Sequence, residues 1–162
     1  MGQTQIIKAI QLYPKFYYYY YCLGETYKDK KLYPEAINNY KKAIQNNPEY
    51  KLSHFYVGYS SDMSKLYEEA IAAYKEAIRI DKNFTNAYYN LGLNYKRLER
   101  YDEAITALEK VIKLDPKYTY AYYNLSLSYY NLGNKEAAMK EYEMVKQLNA
   151  NVAEELLPLI SK

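Results

Sequence analysis

Tryptophan is absent from this chain, and cysteine and histidine each occur once, as Cys22 and His54. Arginine occurs three times, as Arg79, Arg97 and Arg100. One cysteine cannot close an internal disulfide. It is also a poor nucleophile without an assured base, and a metal site needs several Cys, His or acidic ligands at set spacing. There is no glycine-rich phosphate loop. These absences argue against an enzyme, and no cofactor or metal is expected. His54 therefore reads as a packing residue, and Cys22 as a thiol without a catalytic role.

Long apolar runs are missing too. No stretch approaches the roughly 18 residues of a membrane helix. The opening residues MGQTQIIKAI hold no apolar signal core, and Ile6 stands where a myristoylation signal needs Ser or Thr. The expectation is a reduced, cytoplasmic compartment and no membrane partner. Net charge is only +3. Residues 1–16 carry Lys8 and Lys15, residues 153–162 carry Glu154 and Glu155 against Lys162, and residues 17–152 add a net charge of only +2. Without clustered cations a nucleic-acid partner is not expected.

What the chain has is tyrosine, 25 of 162 residues, five of them consecutive in FYYYYYCLG at 16–24. It also has a period. YDEAI at 101–105 is preceded 34 residues earlier by YEEAI and 34 earlier again by YPEAI. Leu23-Gly24, Val57-Gly58, Leu91-Gly92 and Leu125-Ser126 keep the same interval, as do Ala36, Ala70, Ala104 and Ala138. Four repeats follow: 17–50, 51–84, 85–118 and 119–152. Within each, apolar residues at i, i+3, i+4 and i+7 (Tyr88, Leu91, Gly92, Tyr95) mark one helix face. A turn near Arg100 leads to a second face of Ala104, Leu108 and Val111. Asp115-Pro116 ends that helix, because proline cannot continue it. The reading is a single all-α domain of antiparallel helix pairs.

This pattern resembles the tetratricopeptide repeat. The residues that carry it are Tyr20, Leu23, Gly24, Tyr27, Ala36, Tyr40, Ala43 and Pro48 in the first repeat, and Tyr88, Leu91, Gly92, Tyr95, Ala104 and Pro116 in the third. The second repeat departs with His54, Ser61 and Lys82, the fourth with Ser126 and Ala150. The resemblance implies a right-handed superhelical solenoid whose first helices line a concave peptide groove. Twelve tyrosines (20, 27, 33, 40, 67, 74, 88, 95, 101, 122, 129 and 142) then fall on packing positions. The five-tyrosine run becomes one helix, with Tyr20 in the core, Tyr18 and Tyr21 on the groove, Tyr19 toward the preceding helix and Tyr17 exposed.

Carried over position by position, the groove presents Tyr18 and Tyr21, then Phe55, Tyr56 and Tyr59. It continues with Asn86, Tyr89, Asn90, Lys96 and Arg97, then Tyr120, Tyr123, Asn124 and Tyr130. Asn90 and Asn124, one period apart, are expected to meet a ligand backbone as a ladder, with an acidic ligand residue near Lys96 and Arg97. The heat-shock chaperone carboxylate clamp of this family needs Lys, Asn and Arg at five positions. In repeats two to four these are Phe55, Tyr59, Asn90, Tyr120 and Asn124, of which only Asn90 fits. In repeats one to three they are Tyr21, Glu25, Tyr56, Asn86 and Asn90, and none fits. The expected function is a non-catalytic module that binds a peptide segment of another protein. The alternative is self-assembly through the ends or the convex face. In phase, residues 1–16 form a partial repeat with only a second helix, as if cut from a longer array. Its Ile6, Ile7 and Ile10 suggest weak homo-oligomerisation. Residues 153–162 read as a capping helix, with Leu156 and Leu159 packing.

Overall fold

The computed structural model describes residues 2–161. Among them are ten helices and no strand. They fall into two compact units, Met1–Lys82 and Asn83–Lys162.

The first unit holds α1 (Gln3–Leu12), α2 (Tyr17–Asp29), α3 (Tyr33–Asn46), α4 (Lys51–Met63) and α5 (Tyr67–Ile80). The second holds α6 (Thr85–Arg97), α7 (Tyr101–Leu114), α8 (Thr119–Asn131), α9 (Lys135–Leu148) and α10 (Ala150–Ile160). The even helices α2 to α8 open 34 residues apart, and so do the odd helices α3 to α9.

The turn inside each pair has one chemistry repeated four times. Lys31, Lys65, Glu99 and Gly133 sit at φ of 60°, 62°, 58° and 79°. The next residue's N–H returns to the carbonyl five back, as from Leu32 to Tyr27 at 2.9 Å and from Asn134 to Tyr129 at 2.9 Å. This is the left-handed helix stop that glycine serves best. Only the fourth repeat uses glycine; the other three hold an L side chain in a strained region.

The pairs close where the first helix has no side chain. A Cβ built on Gly24 would lie 2.6 Å from the Tyr40 ring, and one on Gly58 2.8 Å from the Tyr74 ring. In the second unit the same position in α6 is Gly92, facing Leu108 at 2.9 Å. In α8 it is Ser126, whose hydroxyl donates to the Ala138 carbonyl at 2.7 Å. Ala36, Ala70 and Ala104 are wholly buried opposite these residues, and Ala138 is 1% exposed. The first unit's core gathers Ala36, Ile37, Tyr40, Val57 and Ala73. The second has one cluster around Leu108, Val111, Ala121 and Leu125 and another around Tyr142, Val145, Val152 and Leu156.

Of the twelve tyrosines assigned to packing, Tyr40, Tyr74, Tyr95, Tyr122 and Tyr142 are buried and the other seven half-buried. Two expectations need correction. Tyr17 is half-buried rather than exposed, because its ring meets Tyr50 at 4.9 Å. Leu159 is 45% exposed while Leu156 is wholly buried. The reason is the loop before α10. Asn149 alone separates α9 from α10, whereas four residues separate α7 from α8. The last helix therefore starts three residues earlier than the period places it, and Val152, Ala153, Leu156 and Ile160 become its buried stripe.

Candidate functional site

In the first unit the rings carried by α2 and α4 form a packed wall. Tyr21 is its centre, 5.8 Å from Tyr18 and nearly parallel to it, 5.2 Å from Tyr50 and 6.0 Å from Tyr56. Tyr56 stacks on the buried Tyr40 at 5.7 Å and touches Phe55 at 5.1 Å and Tyr59 at 6.5 Å. Offset and edge-on contacts of this kind add to burial energy and fix ring orientation. Tyr18 remains 43% exposed at the edge of the wall.

One charged group is built into this wall and neutralised there. Lys28 Nζ lies 4.5 Å from the Tyr56 ring centre and 2.8 Å from Glu25 Oε2. The other oxygen of Glu25 accepts the Tyr40 hydroxyl. Burial opposes the Lys28 charge, but the Glu25 hydrogen bond prevails and its pKa is raised. Burial, followed by Glu25, also raises the phenols of Tyr21 and Tyr40.

In the second unit the corresponding face belongs to α6 and α8. Lys96 is half-buried and its Nζ donates to Asn124 Oδ1. The amide nitrogen of Asn124 donates to the Tyr89 hydroxyl at 3.3 Å and to the Tyr120 carbonyl at 2.7 Å. Tyr89 packs on Tyr118 at 4.9 Å, and burial pushes its pKa up to about 12. Burial and then the neighbouring Arg97 charge push the Lys96 pKa down. Tyr120 is 53% exposed, with Tyr123 6.3 Å away. Tyr130 is half-buried beneath the Lys135 ammonium, 5.7 Å from its ring centre.

The asparagines are not an open ladder. Asn90 is half-buried and its amide donates to the Asn86 carbonyl one turn back at 3.0 Å. Asn124 is 5% exposed and both of its amide hydrogens are engaged. Asn86 and Arg97 are exposed. The sequence reading missed Tyr50 and Tyr118, which brace these two faces. The period carries the signal, since Phe16, Tyr50, Phe84 and Tyr118 recur at the residue before each first helix.

His54 is half-buried, with its Nε2 2.8 Å from the Pro48 carbonyl. Cys22 is a half-buried free thiol. A cavity of about 520 Å³ between α6 and α7, floored by Tyr88, Leu91, Tyr95 and Ala107, holds none of the expected site residues. Among the described residues no group of three or more His, Cys, Asp or Glu could hold a metal ion. No described helix is long and apolar enough to cross a membrane.

Helix pairs of constant length, closed by a small residue on the first helix and an alanine on the second, define an all-α solenoid repeat protein. Family profiles described as tetratricopeptide repeat match residues 17–50, 85–118 and 107–140, and one described as TPR repeat matches 66–99. The chain belongs to the tetratricopeptide-repeat family. Solved structures agree. A crystal structure of MamA is 28% identical, with a TM-score of 0.88 over 94% of this chain and 89% of that one. YrrB, described as a TPR protein with an unusual peptide-binding site, is 22% identical, with a TM-score of 0.86 over 94% and 80%. A MamA from Desulfovibrio magneticus RS-1 is 19% identical, with a TM-score of 0.85 over 92% and 84%. No curated protein matches the sequence. The class of this protein is a protein-interaction module.

Proposed function

We propose that the protein is a non-catalytic adaptor whose tyrosine-lined first-helix faces bind a peptide segment of a partner protein. The observation that carries this reading is the exposure of Tyr18 and Tyr120, 43% and 53%, beside rings that hold them. A large ring left in water on a rigid base gives contact area with few torsions left to immobilise. The YrrB likeness bears on the fold alone. A cytoplasmic setting belongs to the same proposal, because Cys22 is an unpaired thiol.

The test is selection from a displayed peptide library, followed by calorimetry on Tyr18→Ala and Tyr120→Ala. Both side chains are exposed, so the fold should persist. Wild type should retain peptides with affinity on the order of micromolar, and at least one variant should bind them roughly tenfold more weakly. If no peptide is retained, or neither variant weakens binding, the adaptor reading fails. Self-assembly would then take its place, with Leu12, Tyr13 and Phe16, exposed by 74%, 61% and 47%, as its surface. Mass that rises with concentration would support it.

A further inference from the structure

Lys28 and Lys96 occupy the same position in the first and third repeats, and each reaches the residue 28 positions further on, Tyr56 or Asn124. They differ in charge balance. Three residues before Lys28 stands Glu25, which pairs with it at 2.8 Å. Three residues before Lys96 stands Leu93. Among the described residues no carboxylate pairs with Lys96, and the charge that acts on it is the like charge of Arg97. A half-buried ammonium without a counter-ion is disfavoured unless something else supplies the negative charge.

The donors around it are also arranged. An ammonium has three hydrogens, and Lys96 gives one to Asn124 Oδ1. The other end of the same carboxamide donates to the Tyr89 oxygen. Tyr89 therefore acts as acceptor toward Asn124, and among the described residues its own O–H meets no acceptor. That phenol is protonated at neutral pH, and burial raises its pKa further. One amide thus positions two donors, Lys96 Nζ and Tyr89 O–H, at its two ends. A carboxylate, with two acceptor oxygens, matches this pair.

We propose that Lys96 and Tyr89, positioned by Asn124, form a subsite for a carboxylate of the bound peptide. The ligand carboxylate takes the place that Glu25 fills internally in the first unit. This rests on the adaptor reading and adds to it that the partner segment is acidic at one position. The carboxylate is either an Asp or Glu side chain or the C-terminus of the peptide.

The experiment uses small probes on the full 162-residue protein. N-acetyl-aspartate N-methylamide carries the side-chain carboxylate, N-acetyl-leucine the terminal one, and N-acetyl-asparagine N-methylamide is the uncharged control. NMR follows the Lys96 ammonium and the Asn124 side-chain amide. At least one acid should shift both signals saturably and raise the Lys96 pKa, while the amide control does neither; the stronger acid identifies the source of the carboxylate. Lys96→Met should weaken the acid by at least about tenfold. Leu93→Glu, which recreates the internal partner of the first unit, should weaken it to the same degree, with circular dichroism reporting the fold of both variants. Silence of both signals with both acids overturns the subsite, and so does undiminished binding by folded Leu93→Glu. A library-selected peptide that lacks any acidic group and binds without moving the Lys96 signal also overturns it, yet leaves the adaptor reading standing. Saturable acid binding by a protein that retains no library peptide supports the subsite and removes the adaptor reading.

Discussion

The two units build equivalent faces from one template and reach opposite chemistry. In the first, Tyr21, Tyr40 and Tyr56 interlock, and Lys28 lies on a ring with its charge cancelled by Glu25. In the second, Asn124 stands at the Tyr56 position and Leu93 at the Glu25 position, and the lysine keeps its charge over a neutral amide. Together with Leu108 at the Tyr40 position, these differences turn a closed aromatic wall into a polar cradle. The period decides where a side chain points. The identity of the residue one helix away decides whether it is satisfied.

The largest expected effect breaks the aromatic wall. Tyr40 is wholly buried, stacks on Tyr56 and donates to Glu25. Tyr40→Ala should cost the first unit about 3–5 kcal/mol, the usual range for emptying a buried aromatic site. Leu108→Ala, at the same position in the second unit, should cost about 2–5 kcal/mol. Hydrogen exchange should localise each loss to its own unit. Equal loss of protection in both units from either variant would mean that they unfold as one.

Alkali should separate the units in the same order. Tyr21 and Tyr40 titrate above the ordinary phenol value of 10.0. Their protonated form is favoured by folding, so the stability they contribute is complete below pH 10 and is lost as pH rises beyond it. Tyr89 adds a smaller contribution in the second unit, lost between pH 10 and its value of about 12. Exchange protection should therefore begin to fall in both units as pH passes 10, and fall further in the first unit.

Glu25→Leu sharpens the comparison by giving the first unit the residue of the second. It removes the Lys28 counter-ion and the acceptor of the Tyr40 hydroxyl together. Leaving the buried hydroxyl unpaired should cost about 1–3 kcal/mol. The Lys28 pKa, now raised, should fall below the ordinary lysine value, as Lys96 does. NMR titration of the Lys28 ammonium checks this, and a Lys28 that stays raised would show that Asp29, 3.6 Å away, and the Tyr56 ring together balance its charge.

How much of this is legible in the sequence follows the same division. Helix starts at 17, 51, 85 and 119 are legible because Leu-Gly pairs and alanines recur without insertion. The last helix escapes the period because one shortened loop slips its register, and no motif marks a loop's length once the repeat consensus fades at Ala150. The face of each site residue is legible too. The engagement of Asn124 is not, because it depends on Lys96 and Tyr89 arriving from another helix with complementary hydrogen-bonding groups. Three serines of α4 show the same limit. Ser53, Ser60 and Ser61 are wholly buried, and their hydroxyls have no hydrogen-bond partner among the described residues.

The smallest effect concerns the turn that all four pairs share. The first unit holds Lys31 and Lys65 at positive φ, and the second holds Glu99 and Gly133. An L side chain in this region is strained by roughly 1–2 kcal/mol, while glycine gives back part of that gain because it has more freedom when unfolded. Lys65→Gly should therefore stabilise the first unit by about 0.5–1 kcal/mol. Gly133→Ala should destabilise the second by a similar amount, since no atom of the described residues lies within 4 Å of the added Cβ and only the backbone at 79° opposes it. Thermal melts of the two variants, with exchange to assign the unit, provide the measurement. A Lys65→Gly variant that melts below wild type would mean that the lysine side chain contributes more than its backbone strain removes.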